Sequence, residues 1–115
     1  MTEDRLGINR EWLHDVRRIY LSGASRKLAD LERAIMGLEI NPTSRSHERR
    51  LRRLLHNLIG SGGSYGFPAV TDTARDMSEC LKHGKDERMP IDPSILAALR
   101  TRLDRLRRVF DEARP

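Results

Sequence analysis

Residues 54 to 67 read "LLHNLIGSGGSYGF", a stretch with helical apolar spacing that also holds Gly60, Gly62 and Gly63. Each glycine in a helix interior costs about 1 kcal/mol relative to alanine, so their crowding after a histidine needs a reason. At about 100° per residue, Leu51, Leu54, Leu55, Leu58, Gly62 and Tyr65 cluster within about 50° of one direction, which is the expected core side. His56 falls about 130° away from it. Gly60, Gly63 and Phe67 follow at i+4, i+7 and i+11 and share the histidine's side. The imidazole is therefore expected to face solvent beside a flat, nearly bare strip of backbone. Gly62 points the other way and reads as a site of close helix packing. A plainer reading stays open: glycine clusters end helices, and "GSGGSYG" would then be a loop between two shorter helices.

Working outward, Leu13, Val16, Tyr20, Ala24, Leu28, Leu31, Ile35 and Leu38 recur every three or four residues. This spacing predicts helix from about Arg10 to Leu38, with a break near Asp15 or Gly23. Asn41-Pro42 stops it, "PTSRS" links, and Ser44 or Ser46 is placed to cap the next helix. Pro68 suits the first turn of a third long helix, where its missing N–H costs nothing, with Val70, Ala74, Met77 and Leu81 as its buried stripe. Lys82-His83-Gly84 reads as its C-terminal end, and "KDERMP" as a solvated loop. Asp92 as cap and Pro93 in the first turn open a last helix with Leu96, Leu99, Leu103, Leu106 and Phe110 facing inward. Short connections between four long amphipathic helices predict an all-α, antiparallel four-helix bundle with a short extra N-terminal helix. The 115 residues form one domain, 1–115, with a core from about 15 to 110.

Composition agrees: 34% of residues are charged and 4% aromatic, with no sustained strand alternation. The apolar runs are too short to span a bilayer, and "MTEDRLGINR" lacks the apolar core of a signal peptide. These features lead to an expected cytoplasmic location and no membrane partner. The formal charge of +5 permits an anionic partner without choosing one. Cys80, the single cysteine, reads as core filler.

The segments "HNLIGSGGSYGF" and "VTDTARDMSECLKHG" together resemble the histidine-containing phosphotransfer (HPt) domains of bacterial phosphorelays. In that family a histidine is followed by an apolar residue at two, usually a lysine at three, glycine at four, small residues, and a second glycine at ten. Here these positions are His56, Leu58, Ile59, Gly60, Ser61 to Ser64, and Gly66. The flanking "YLSGASRKLADLERAI" and "LAALRTRLDRLRRVF" resemble the neighbouring helices, so the likeness runs from about Asp15 to Phe110. It implies that His56 accepts a phosphoryl group from an aspartyl phosphate on a receiver domain and passes it on. It also implies a phosphocarrier rather than an enzyme, with Mg2+ on the partner receiver and no cofactor on this chain. Receiver domains of response regulators or hybrid kinases are the implied partners of a monomeric chain. The docking surface is expected to comprise Gly60, Gly63, Ser64, Phe67 and Arg49. Isoleucine stands where the family lysine would be, so phosphate charge support is expected from Arg52 or Arg53, with Arg52 preferred because it shares the flank of Ile59.

Two other readings compete. One is a basic nucleic-acid-binding module built on Arg49, Arg50, Arg52, Arg53 and "RTRLDRLRRVF"; Asp104, Asp111 and Glu112 interrupt that second cluster, and no recognition-helix turn is evident. The other is an adaptor bundle in which His56 is idle. His14, His47 and His83 lack a glycine strip, and no histidine pair has metal-ligand spacing. "GSGGSYG" lacks the Lys-Ser/Thr of a nucleotide-binding loop.

Overall fold

Five helices form from these patterns in the computed structural model, which describes residues 10–82 and 89–114. They are α1 (Arg10–Ser22), α2 (Ala24–Ile40), α3 (Arg45–Ser64), α4 (Pro68–Lys82) and α5 (Pro93–Ala113). No strand occurs among the described residues. α2 through α5 close a four-helix bundle in which α3 packs on α2 and α4, and α5 packs on α4 and α2. The Ile91 N–H donates to the Pro42 carbonyl at 3.0 Å, holding the start of α5 at the end of α2. α1 is the extra N-terminal helix, and the break separating it from α2 falls at Gly23.

The sequence explains where these helices begin. The Ser44 side chain accepts from the His47 N–H at the start of α3. Asp92 accepts from the Ser94 N–H at 2.7 Å, with Pro93 following it in the first turn of α5. Each cap satisfies an N–H that the helix leaves open. Inside, Leu31, Ile35, Leu38, Leu51, Leu55, Val70, Met77, Leu99, Leu103, Leu106 and Phe110 are completely buried. Burying one such side chain is worth about 1.5–3 kcal/mol. Surface ion pairs contribute about 0–1 kcal/mol each, so the apolar seam sets the helix register. Arg100 of α5, which pairs with Glu32 and Glu39 of α2, adds to that register without determining it.

Some sequence expectations change at the ends of α3. Leu54 is half-buried at the edge of the core, and Tyr65 is the C-terminal cap, 36% exposed, instead of a core residue. Phe67 lies beyond the helix, so the angular extrapolation that placed it on the histidine's face does not apply; its ring turns inward against the core. Cys80 is half-buried against the core, as a filler would be. The expectations for His83, Gly84 and residues 85–88 lie outside the described residues.

Candidate functional site

α3 continues through the glycine run to Ser64 and stops at Gly66. Gly66 adopts φ +85°, a left-handed conformation that glycine enters without a Cβ penalty. Its N–H donates to the Gly63 carbonyl at 3.1 Å, and the Phe67 N–H reaches the Gly62 carbonyl at 2.7 Å. This pair of bonds is the Schellman motif, which consumes carbonyls left open by a helix end. Gly66 therefore terminates the helix, and the other three glycines require separate explanations.

They divide by face. A Cβ on Gly60 would meet nothing within 4 Å, and one on Gly63 would make only ordinary contact with Thr71 Oγ1 at 3.6 Å. On Gly62 it would lie 2.6 Å from Thr71 Oγ1, 2.9 Å from Thr71 N and 3.1 Å from the Phe67 carbonyl oxygen. Gly62 thus lets α4 approach α3. Thr71 uses this contact to donate from its hydroxyl to the Ile59 carbonyl at 2.9 Å. Gly60 and Gly63 leave backbone open beside His56, which is exposed in the second half of α3. Ser64 is also exposed, but its hydroxyl is turned back onto the Gly60 carbonyl at 3.0 Å.

The arginines before the histidine separate in the same way. Arg49 and Arg53 are exposed and form no ion pair among the described residues. Arg50 lies 3.6 Å from Asp30. Arg52 is half-buried: Nη2 donates to the Leu81 carbonyl at 3.2 Å, and Nε lies 3.7 Å from Glu48. Its cation thus serves the negative end of α4 and is directed away from the histidine face. Between the two arginines proposed from sequence, Arg53 is the one left open to solvent.

The opposite flank of α3 holds a residue that sequence reasoning missed. Lys27 of α2, with Leu54, Asn57, Leu58 and Ser61 of α3, lines a groove of about 110 Å³. Its ammonium rests 3.9 Å from the centroid of the Tyr20 ring. Burial lowers its pKa below the ordinary lysine value. Tyr20 hydrogen-bonds to the Ser61 hydroxyl at 2.8 Å and stacks on Tyr65 and Phe67 at 4.7 and 5.6 Å between centroids. Burial raises the pKa of this phenol. A signal for Lys27 was present in the chain: it lies three residues after Ala24 and four before Leu31, in the apolar stripe of α2.

Among the described residues, no three of His, Cys, Asp and Glu gather into a metal-sized group, and no helix is long and apolar enough to cross a membrane. Three arginines in the basic run of α5 are held in ion pairs. Besides Arg100, Arg105 pairs with Asp76 at 3.3 Å and Arg107 with Asp104 at 2.9 Å.

These features define a helical bundle that presents one exposed histidine above an open glycine strip, in a positive setting. The Hpt domain family model matches residues 15–109, and the chain belongs to that family. Members are phosphocarrier modules of phosphorelays, acting in histidine phosphotransfer and interacting with receiver domains of response regulators or kinases. No curated protein and no solved structure matches the chain.

Proposed function

We propose that His56 is the phosphoacceptor, taking a phosphoryl group from an aspartyl phosphate on one receiver domain and delivering it to another. The observation that carries this reading is the exposed imidazole on continuous helix with open positions at Gly60 and Gly63 one and two turns on. In the transfer, a neutral imidazole nitrogen attacks phosphorus in line with the leaving carboxylate. The N–P bond forms as the acyl P–O bond breaks, the aspartate departs as carboxylate, and the imidazole N–H proton passes to solvent. The receiver contributes Mg2+ and its acidic pocket. This chain contributes a nucleophile on continuous helix, a surface open to close approach, and the charges of Arg49 and Arg53, unpaired among the described residues, which attract an acidic partner.

The test is incubation with phosphorylated receiver domains, followed by analysis for acid-labile, base-stable phosphate on this chain. His56→Gln is expected to abolish labelling and to change stability by no more than about 0.5 kcal/mol, as for an exposed site. Labelling that survives this substitution would overturn the assignment.

A further inference from the structure

The last turns of α3 have little helix propensity of their own. Gly60, Gly62 and Gly63 fall within four residues, and each is less favourable than alanine in a helix. No basic residue stands in the last turn of α3 to meet the negative end of its dipole. The Schellman bonds at Gly66 close the end, but they lie inside the same segment and open with it. Contact with α4 secures the Gly62 side alone, because a Cβ on Gly60 would meet nothing. An open strip of this composition needs a hold from outside α3 to stay helical.

α1 supplies it. Arg17 Nε donates to the Tyr65 carbonyl at 3.2 Å, which brings to the end of α3 the cation that its own last turn lacks. The guanidinium lies over Gly66, where a Cβ would be 2.6 Å from Nη2 and 3.0 Å from Nε. Tyr20, three residues on and on the same side of α1, hydrogen-bonds to the Ser61 hydroxyl at 2.8 Å and stacks on Tyr65 and Phe67. Two side chains of a separate helix thus hold both ends of the segment from Ser61 to Phe67. Ser61 lies about 140° around α3 from His56, so this hold comes from behind the strip and leaves its outer face open. We propose that Arg17 and Tyr20 are positioning residues, through which α1 keeps the glycine-rich end of α3 helical and ready for a receiver to dock beside His56. The docking role rests on the assignment of His56 as phosphoacceptor; the hold of α1 on α3 does not.

The test is amide hydrogen exchange in the full chain. The Tyr65, Gly66 and Phe67 amides donate to Ser61, Gly63 and Gly62 within the segment and report its opening; the Leu99 and Leu103 amides of α5 report global opening. Arg17→Met keeps the stem and removes the donor and charge, and Tyr20→Phe keeps the ring and removes the hydroxyl. Each is expected to speed exchange at the three strip amides by about twofold to tenfold, the effect of losing one hydrogen bond, and to leave α5 unchanged. The double variant is expected to exchange faster still. Gly60→Ala, whose methyl enters open space, is expected to restore its protection by raising the propensity of the same turns, a rescue that simple loss of packing at α1 would not show. Transfer from a phosphorylated receiver is then expected to show a raised KM with kcat near wild type, as the docking-competent fraction falls. Tyr20→Phe alters no charge, so it separates this effect from electrostatic attraction, and Arg17→Lys, which keeps a cationic donor, is expected to stay near wild type. Unchanged exchange in the double variant overturns the inference, as does exchange that rises equally in α5. Faster exchange with an unaltered KM overturns the docking role. Expected exchange in a chain that receivers do not label would sustain the hold of α1 on α3 and overturn the relay function.

Discussion

Alanine at Gly62 and alanine at Gly60 are expected to move stability in opposite directions, although the two positions are two residues apart on one helix. At Gly60 the new methyl enters open space. The change then reports backbone entropy and helix propensity, a gain of about 0.4–1 kcal/mol. At Gly62 the same propensity gain, about 1 kcal/mol, meets a methyl 2.6 Å from Thr71 Oγ1 and 2.9 Å from Thr71 N. The second of these is backbone of α4 and cannot be relieved by a rotamer change. Overpacking of this kind costs about 1–3 kcal/mol. Displacing Thr71 also strains its bond to the Ile59 carbonyl, worth about 0.5–1.5 kcal/mol. The two costs total about 1.5–4.5 kcal/mol, so the net effect at Gly62 is a loss of about 0.5–3.5 kcal/mol. Urea denaturation of the three proteins checks this through the midpoint, with an unchanged slope showing that the exposed surface is unaltered. Equal stabilisation by both alanines would show that α4 does not rest on Gly62. Equal destabilisation would show that the strip beside His56 is buried or is not helical.

Gly60→Leu is expected to leave the thermal midpoint near wild type while stopping phosphotransfer from a receiver, because the side chain occupies the approach beside His56; a normal transfer rate would remove the docking argument. Arg53→Ala is expected to slow transfer at low salt by weakening association, with the deficit shrinking as salt rises. Arg52→Ala is expected to act mainly on stability by releasing the Leu81 carbonyl; a salt-dependent rate loss confined to Arg52→Ala would reverse these roles. Asp92→Ala is expected to destabilise the start of α5 in a pH-dependent manner. Bonds from the Ser94 hydroxyl and N–H hold the Asp92 carboxyl below its ordinary range. The stabilisation is therefore present above the unfolded-state pKa, about 3.9, and fades as pH falls through the lower folded-state value. Thermal melts of both proteins at pH 6 and below pH 3 should show the difference narrowing.

The helices and the face they bury were legible in the chain because each depends on local rules. Apolar spacing in α2, α4 and α5, Ser44 and Asp92 as caps, and Pro68 and Pro93 in first turns all act within one or two helical turns. The outward angle of His56 is a property of helix geometry alone, and so is the division of Gly60 and Gly63 from Gly62. Tertiary structure decided matters that involve two elements. Whether "GSGGSYG" is helix or loop depends on α4 resting against Gly62 and on Gly66 taking the left-handed turn, contacts that offset the glycines' weak propensity. Phe67 was misplaced because angular extrapolation fails at a helix end, where the chain changes direction. Arg52 and Arg53, adjacent and chemically identical, diverge because the Leu81 carbonyl comes within reach of only one of them. Lys27 shows the same dependence: it shares a groove with Leu54, Asn57, Leu58 and Ser61 only because α2 packs alongside α3.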